Sequence, residues 1–246
     1  MINLKKSKCT KILIVVIVAL LLIFAGCGIY VNDYYRADET ALAALVSDKT
    51  VSVQENENNI AFVPEDPTAG FIFYPGGKVE YTAYAPLLHN LAENGILCVL
   101  VEMPFNLAVL DMDAADGISE QYPQVDRWYI GGHSLGGSMA ASYVSERIEN
   151  YEGLVLLASY STEDLSETPL DVISIYGSED KVLNLEKYNE YHTNLPESLI
   201  ETVIDGGCHA CFGSYGPQDG DGIPSITAQE QILETTRLLT EFFLSE

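Results

Sequence analysis

The sequence predicts an α/β fold, a mainly parallel central sheet flanked by helices, preceded by one transmembrane helix. Three observations predict it. Short β-branched runs alternate with stretches of helical periodicity along most of the chain, a pattern that implies right-handed crossovers between parallel strands. The run Gly153-Leu154-Val155-Leu156-Leu157-Ala158 is apolar throughout, as a central strand covered on both faces must be. Finally, Ile12 to Val31 is a run of 20 residues without Asp, Glu, Lys, Arg or His.

As a helix rising ~1.5 Å per residue, that run spans the ~30 Å hydrocarbon core of a bilayer. It lacks the polar face of a buried core helix. Lys5, Lys6, Lys8 and Lys11 precede it and the first acidic residue, Asp33, follows it, so the positive-inside rule places the N-terminus in the cytoplasm and the remainder outside. The expected location is the cell membrane, single-pass, with an extracytoplasmic domain. An alternative is a lipoprotein attached at Cys27, because Phe24-Ala25-Gly26-Cys27 resembles a bacterial lipobox, with Phe24 where Leu is preferred. A signal peptide that is cleaved and released is the third fate.

The full chain of 246 residues carries 12 Lys and Arg against 36 Asp and Glu, a net charge of −24. Four of the basic residues belong to the leader, so the part after the apolar run carries −28. With 48% hydrophobic residues the chain has enough apolar material for a core, which excludes a disordered protein. So acidic a domain excludes nucleic acid as a partner, since phosphate binding requires clustered Lys and Arg. The field favours neutral or cationic small molecules over polyanions.

Strands are expected at Val51 to Gln54, Ile60 to Val63, Phe71 to Tyr74, Ile96 to Glu102, Trp128 to Gly132, Leu154 to Ala158, Val172 to Tyr176 and Leu199 to Ile204, each a short β-branched or aromatic run. Helical periodicity marks Tyr81 to Asn94, Gly136 to Arg147, Leu183 to Asn194 and Ala228 to Leu244, and Asp33 to Asp48 reads as a stalk or first helix. The expected division is a basic leader at 1–11, the apolar segment at 12–31, a stalk with a first helix and strand at 32–58, and one α/β domain at 59–246. Ligands of such sheets sit at the carboxyl ends of the strands, so the loops there are where reactive groups are expected.

The loop after the Trp128 strand reads Gly131-Gly132-His133-Ser134-Leu135-Gly136-Gly137 and leads into a small-residue helix. This is G-x-S-x-G between strand and helix, where a strained turn exposes a serine and the glycines admit two crowded backbones. The next N–H, that of Leu135, lies where an oxyanion forms. A serine needs a base, and the base an acid. Of four histidines, His133 adjoins the serine and reads as local packing, and His89 and His192 read as surface residues in helical stretches. His209, in the loop after the last strand, is the candidate base. For the acid, Asp180 is the choice in Gly177-Ser178-Glu179-Asp180-Lys181, with Glu179 as the alternative. Asp171 enters the strand at the wrong end.

Cys9 lies in the leader and Cys27 in the apolar run, and the remaining three thiols, Cys98, Cys208 and Cys211, make no disulfide framework. Cys208 and Cys211 make a C-x-x-C whose possible disulfide stays open, and it lacks the second ligand pair a zinc site needs. No metal and no cofactor is expected. Asp219 and Asp221, in the Gly-rich tail bordering the pocket, read as a solvated turn rather than a cation site.

With Ser134, Asp180 and His209 in that order, the chain from about Asn59 onward resembles the α/β-hydrolase superfamily, in particular its small dienelactone-hydrolase-like esterase branch. The resemblance implies an α/β-hydrolase fold and a serine hydrolase that cleaves small carboxylic esters through an acyl-enzyme. It also implies a second oxyanion donor, the N–H of Gly77 in Tyr74-Pro75-Gly76-Gly77-Lys78, although that loop has Pro75 where the family usually starts with His-Gly. Short connecting segments leave no room for a large lid, which points to short or water-soluble esters. The competing readings are a catalytically silent binding protein on the same scaffold, and a peptidase, thioesterase or acyltransferase using the same triad.

Overall fold

The computed structural model describes residues 2–245 and divides into two compact units, one ending at Tyr34 and one beginning at Tyr35. The first is helix α1, Ile2–Asn32, unbroken through Cys27. Within it Lys11–Asn32 is long and apolar enough to cross a membrane.

The second unit holds eight strands: β1 Val51–Glu55, β2 Asn59–Pro64, β3 Ala69–Tyr74, β4 Ile96–Val101, β5 Trp128–His133, β6 Gly153–Leu157, β7 Asp171–Gly177 and β8 Ile200–Ile204. They form one sheet in the order β1-β2-β4-β3-β5-β6-β7-β8. β2 runs antiparallel to both β1 and β4, and from β4 onward every pairing is parallel. All eight expected strands are present, with ends moved by a residue or two.

The helices are α2 Glu39–Ala43, α3 Ala85–Glu93, α4 Leu135–Ser145, α5 Leu185–Tyr191 and α6 Ala228–Leu244. Three are shorter than the periodicity suggests. A 3-10 turn, Tyr81–Tyr84, precedes α3, which starts where Pro86 falls in its first turn and the missing N–H costs nothing. A second 3-10 turn, His192–Asn194, replaces the end of α5, and of the 33–48 stretch only the segment capped by Asp38 becomes helical. By contrast α6 keeps its expected bounds, and a capping box between Thr227 and Glu230 fixes its start.

Strand alternation splits the core in two. Phe71 and Phe73 of β3 pack with Leu87, Leu91, Leu239 and Phe243 of α3 and α6 on one face. Ile72 and Tyr74 point the other way, into a cluster with Ile130, Ala140, Ala141 and Leu156 around α4. Burying both faces is what the continuous apolar runs of β3 through β6 require. Register then sets up the site. Tyr74 lies opposite Gly132, His133 opposite Leu157, Leu157 opposite Ile175, and Gly177 opposite Ile204. The carboxyl ends of β3, β5, β6, β7 and β8 are therefore level, and the loops that follow them lie side by side.

Candidate active site

Ser134 sits between β5 and α4 with φ 52° and ψ −122°, a left-handed conformation that is costly for a residue bearing a Cβ. Two bonds hold it there. Its N–H donates to Leu157 O at 2.9 Å, and Ser159 Oγ donates to its carbonyl at 2.7 Å. The flanking glycines are a packing necessity. A Cβ on Gly132 or on Gly136 would run into the backbone carbonyl of Tyr74, and one on Gly136 also into that of Pro75. Among the described residues, the five non-glycine positions with positive φ, Lys78, Phe105, Asn106, Ser134 and Ala158, lie beyond the carboxyl ends of β3 to β6. Strain of this kind concentrates where function demands it.

His209 and Asp180 meet. His209 Nδ1 lies 2.9 Å from Asp180 Oδ2, and their side chains are 2% and 1% exposed. A buried carboxylate only accepts, so Nδ1 carries the hydrogen and Nε2 is left with its lone pair. The other oxygen, Asp180 Oδ1, accepts from the N–H groups of Val182 and Leu183, both at 2.8 Å. Three donors thus hold the carboxylate facing the imidazole. Glu179, its neighbour, spends its backbone N–H on Gly207 O and is not the residue that meets His209. Asp171 is exposed at the far end of β7, as expected.

Ser134 and His209 line one cavity of about 250 Å³ with Leu135, Ala158, Tyr160, Val182 and Leu183. No hydrogen bond joins Ser134 Oγ to His209 among the described residues. As the first residue of α4, Leu135 has an N–H without an intrahelical acceptor. Gly77 is adjacent, since a Cβ placed on it would stand 3.0 Å from the Leu135 side chain.

Several neighbours escape sequence reasoning. His133 is buried packing, as expected, but it packs on His209, ring centroids 4.4 Å apart. Burial first, and the His209 ring second, hold its pKa well below the ordinary imidazole value, so it places no positive charge beside the other ring. Its Nδ1 is 2.8 Å from the Tyr84 hydroxyl, which also accepts from Gly76 N–H at 3.1 Å. Tyr84 therefore pins the loop that carries Gly77.

Asp221 is not the solvated turn residue expected. Its Oδ1 accepts from the N–H of Gly222 at 2.8 Å and of Lys181 at 3.3 Å, while Oδ2 accepts from Ala210 at 2.8 Å. It ties the residue after Asp180 to the residue after His209. Burial pushes its carboxyl up, but the Ala210 N–H, the Cys208 thiol and the other donors outweigh that and hold it below the usual carboxylate range. Cys208 and Cys211 are free thiols, 3.3 Å apart, and burial raises both.

His89 also departs from expectation. It is buried rather than on the surface, because Ala44 and Asp48, distant in sequence, fold over that face of α3. His192 stays half exposed, 3.6 Å from Glu201.

Comparison with known proteins gives the same architecture. Solved structures similar to this chain include TT1662 from Thermus thermophilus, at 15% identity, TM-score 0.59, covering 80% of this chain and 99% of that one. The carboxylesterase CesB (YbfK) from Bacillus subtilis is similar at 11% identity and TM-score 0.57, covering 84% and 95%. Carboxyl esterase 2 from Tuber melanosporum is similar at 12% identity and TM-score 0.59, covering 86% and 90%. No curated protein matches in sequence. The family model described as "Alpha/beta hydrolase family" matches residues 70–233, which spans β3 to the first turns of α6 and contains the serine turn and the Asp180–His209 pair. The chain belongs to the α/β-hydrolase family.

Proposed function

We propose that the chain is a serine hydrolase that cleaves small carboxylic esters through an acyl-enzyme. The observation that carries this reading is the buried Asp180–His209 pair, 2.9 Å apart, on the wall of a cavity shared with a serine held in a left-handed turn. Ser134 Oγ attacks the ester carbonyl as its proton passes to His209 Nε2. Asp180 holds the ring in the tautomer that leaves Nε2 basic and stabilises the imidazolium that forms. The N–H groups of Leu135 and Gly77 take the oxyanion, each contributing ~3 kcal/mol to the transition state. His209 then returns the proton to the leaving alkoxide, and water releases the acyl group by the same steps. The Ser134–His209 hydrogen bond forms when the carbonyl enters, as catalytic hydrogen bonds do on reaching the Michaelis complex.

The cavity walls Ala158, Tyr160, Val182 and Leu183 are largely apolar, and about 250 Å³ suits a short acyl group. The large excess of acidic residues favours neutral or cationic esters, an effect that salt weakens.

The same reading places the enzyme outside the cell membrane on a signal anchor. What supports it is an apolar helix that runs unbroken past Cys27 to Asn32, with basic residues before it and acidic residues after it. Intact mass tests the anchor: loss of everything before Cys27 together with added acyl mass means a lipoprotein. For the chemistry, Ser134→Ala should abolish hydrolysis of p-nitrophenyl acetate and labelling by a fluorophosphonate. Retention of either overturns the assignment.

A further inference from the structure

The geometry points to a divalent transition-metal site, with Zn²⁺ as the fitting ion, formed by Asp48, His89 and Glu93, separate from the Ser134 cavity. Three ligand atoms, one from each residue, lie within 4.8 Å of one another. His89 and Glu93 are one helical turn apart on α3, so their side chains share a face. Asp48 arrives from the turn before β1, 41 residues away in sequence.

His89 decides what the cluster can hold. Its Nδ1 is 2.8 Å from the carbonyl of Ala44, which can only accept, so Nδ1 carries a hydrogen. A backbone carbonyl on one ring nitrogen is the usual support that orients the other toward a metal. Here the other, Nε2, faces Asp48 Oδ2 at 3.1 Å. Two lone pairs at that distance repel unless a positive centre lies between them, either a proton or a cation. A proton serves one imidazole–carboxylate pair. The second carboxylate, Glu93, converging on the same point leaves that arrangement with a net negative charge, which a dication neutralises.

The distances suit an ion. In a tetrahedral sphere with bonds of ~2.0–2.2 Å, neighbouring ligand atoms stand about 3.3–3.6 Å apart, so small side-chain movements close the set. Asp48 is already oriented for it. Oδ1 accepts from Thr50 N–H at 2.7 Å, Thr50 Oγ1 at 2.9 Å and Val51 N–H at 2.9 Å, which leaves Oδ2 to coordinate. Asp48 and His89 also border a cavity of about 460 Å³, room for water as the fourth ligand. One imidazole and two carboxylates suit Zn²⁺ better than the all-oxygen ions Mg²⁺ and Ca²⁺. Bound there, the ion would fasten the segment from Ala44 to Val51 onto α3.

The test is equilibrium Zn²⁺ binding to the full-length chain in non-ionic detergent after chelator treatment, read by competition with a chromophoric chelator and by Tm. The expected result is one tight site per chain, with Kd on the order of 1 µM or below, and a Zn²⁺-dependent rise in Tm. Glu93→Gln, at an exposed position where folding is not at stake, should weaken that site at least about tenfold, and His89→Gln further. Mg²⁺ should not compete. If wild type and Glu93→Gln bind Zn²⁺ alike, the ion is held by surface carboxylates elsewhere and the proposal fails. It also fails if no site tighter than about 100 µM is found, which leaves an imidazolium–carboxylate pair.

Discussion

Two histidine–aspartate pairs stand among the described residues, and they differ in which ring nitrogen the carboxylate meets. In the His209–Asp180 pair the carboxylate takes Nδ1 and both side chains are almost wholly buried. Nε2 is left for the cavity where Ser134 lies. In the His89–Asp48 pair a backbone carbonyl takes Nδ1, so the nitrogen left over, Nε2, faces a carboxylate and not a serine. The carboxylates differ too. Asp48 is half exposed, and the N–H groups of Thr50 and Val51 first, then His89 and the Thr50 hydroxyl, hold its carboxyl below the usual range. The same two residue types yield a candidate base in one place and a candidate metal ligand in the other, according to which ring nitrogen the carboxylate meets.

The largest effects should come from breaking the first pair's connection to the serine. His209→Ala should lower kcat/KM for a short p-nitrophenyl ester by about 10⁴-fold or more, with folding unchanged by circular dichroism. Asp180→Asn keeps the shape but loses the tautomer control, and a drop of about 10³–10⁴-fold in kcat with little change in KM is expected.

Asp221 sharpens the comparison at the next level, since it touches neither ring yet joins the loops that carry Asp180 and His209. Asp221→Asn should cost about tenfold in kcat and about 1–3 kcal/mol of stability, measured by urea unfolding. The sign with pH follows from its lowered pKa. A carboxyl whose folded pKa lies below its unfolded value stabilises the fold above the unfolded pKa, near 4, and loses that contribution as pH falls through the folded value. The stability gap between wild type and Asp221→Asn should therefore be full at pH 6 and shrink below about pH 4.

The smallest effect belongs to the second pair. His89→Gln should lower Tm by about 2–4 °C through loss of the contacts to Ala44 and Asp48.

The sequence carried the sheet and the reactive loops because those signals are local. The G-x-S-x-G glycines are demanded by the Tyr74 and Pro75 carbonyls, and the strands by runs buried on two faces. Ser134, Asp180 and His209 could each be named from the loop that follows a strand. What was illegible depends on contacts between distant segments. Asp221 sits in a Gly-Asp-Gly stretch that looks like any solvated turn until its carboxylate is seen bridging two loops. Tyr84 falls inside a helical pattern and reveals its grip on Gly76 and His133 only in three dimensions. His89 looked like a surface residue because nothing in α3 announces that Ala44 and Asp48 cover it. The helix ends are illegible for a related reason, since periodicity does not record where an α-turn tightens to 3-10, as at Tyr81–Tyr84.

The central claim is that the buried Asp180–His209 pair activates Ser134. Fluorophosphonate labelling of the full-length chain, followed by peptide mass mapping, tests it most directly. The expected result is one adduct, on Ser134, formed rapidly in wild type, slowed by several hundredfold or more (about 10³) in Asp180→Asn and in His209→Ala, and absent in Ser134→Ala. An adduct on another residue, or equal labelling rates in wild type and His209→Ala, would contradict it.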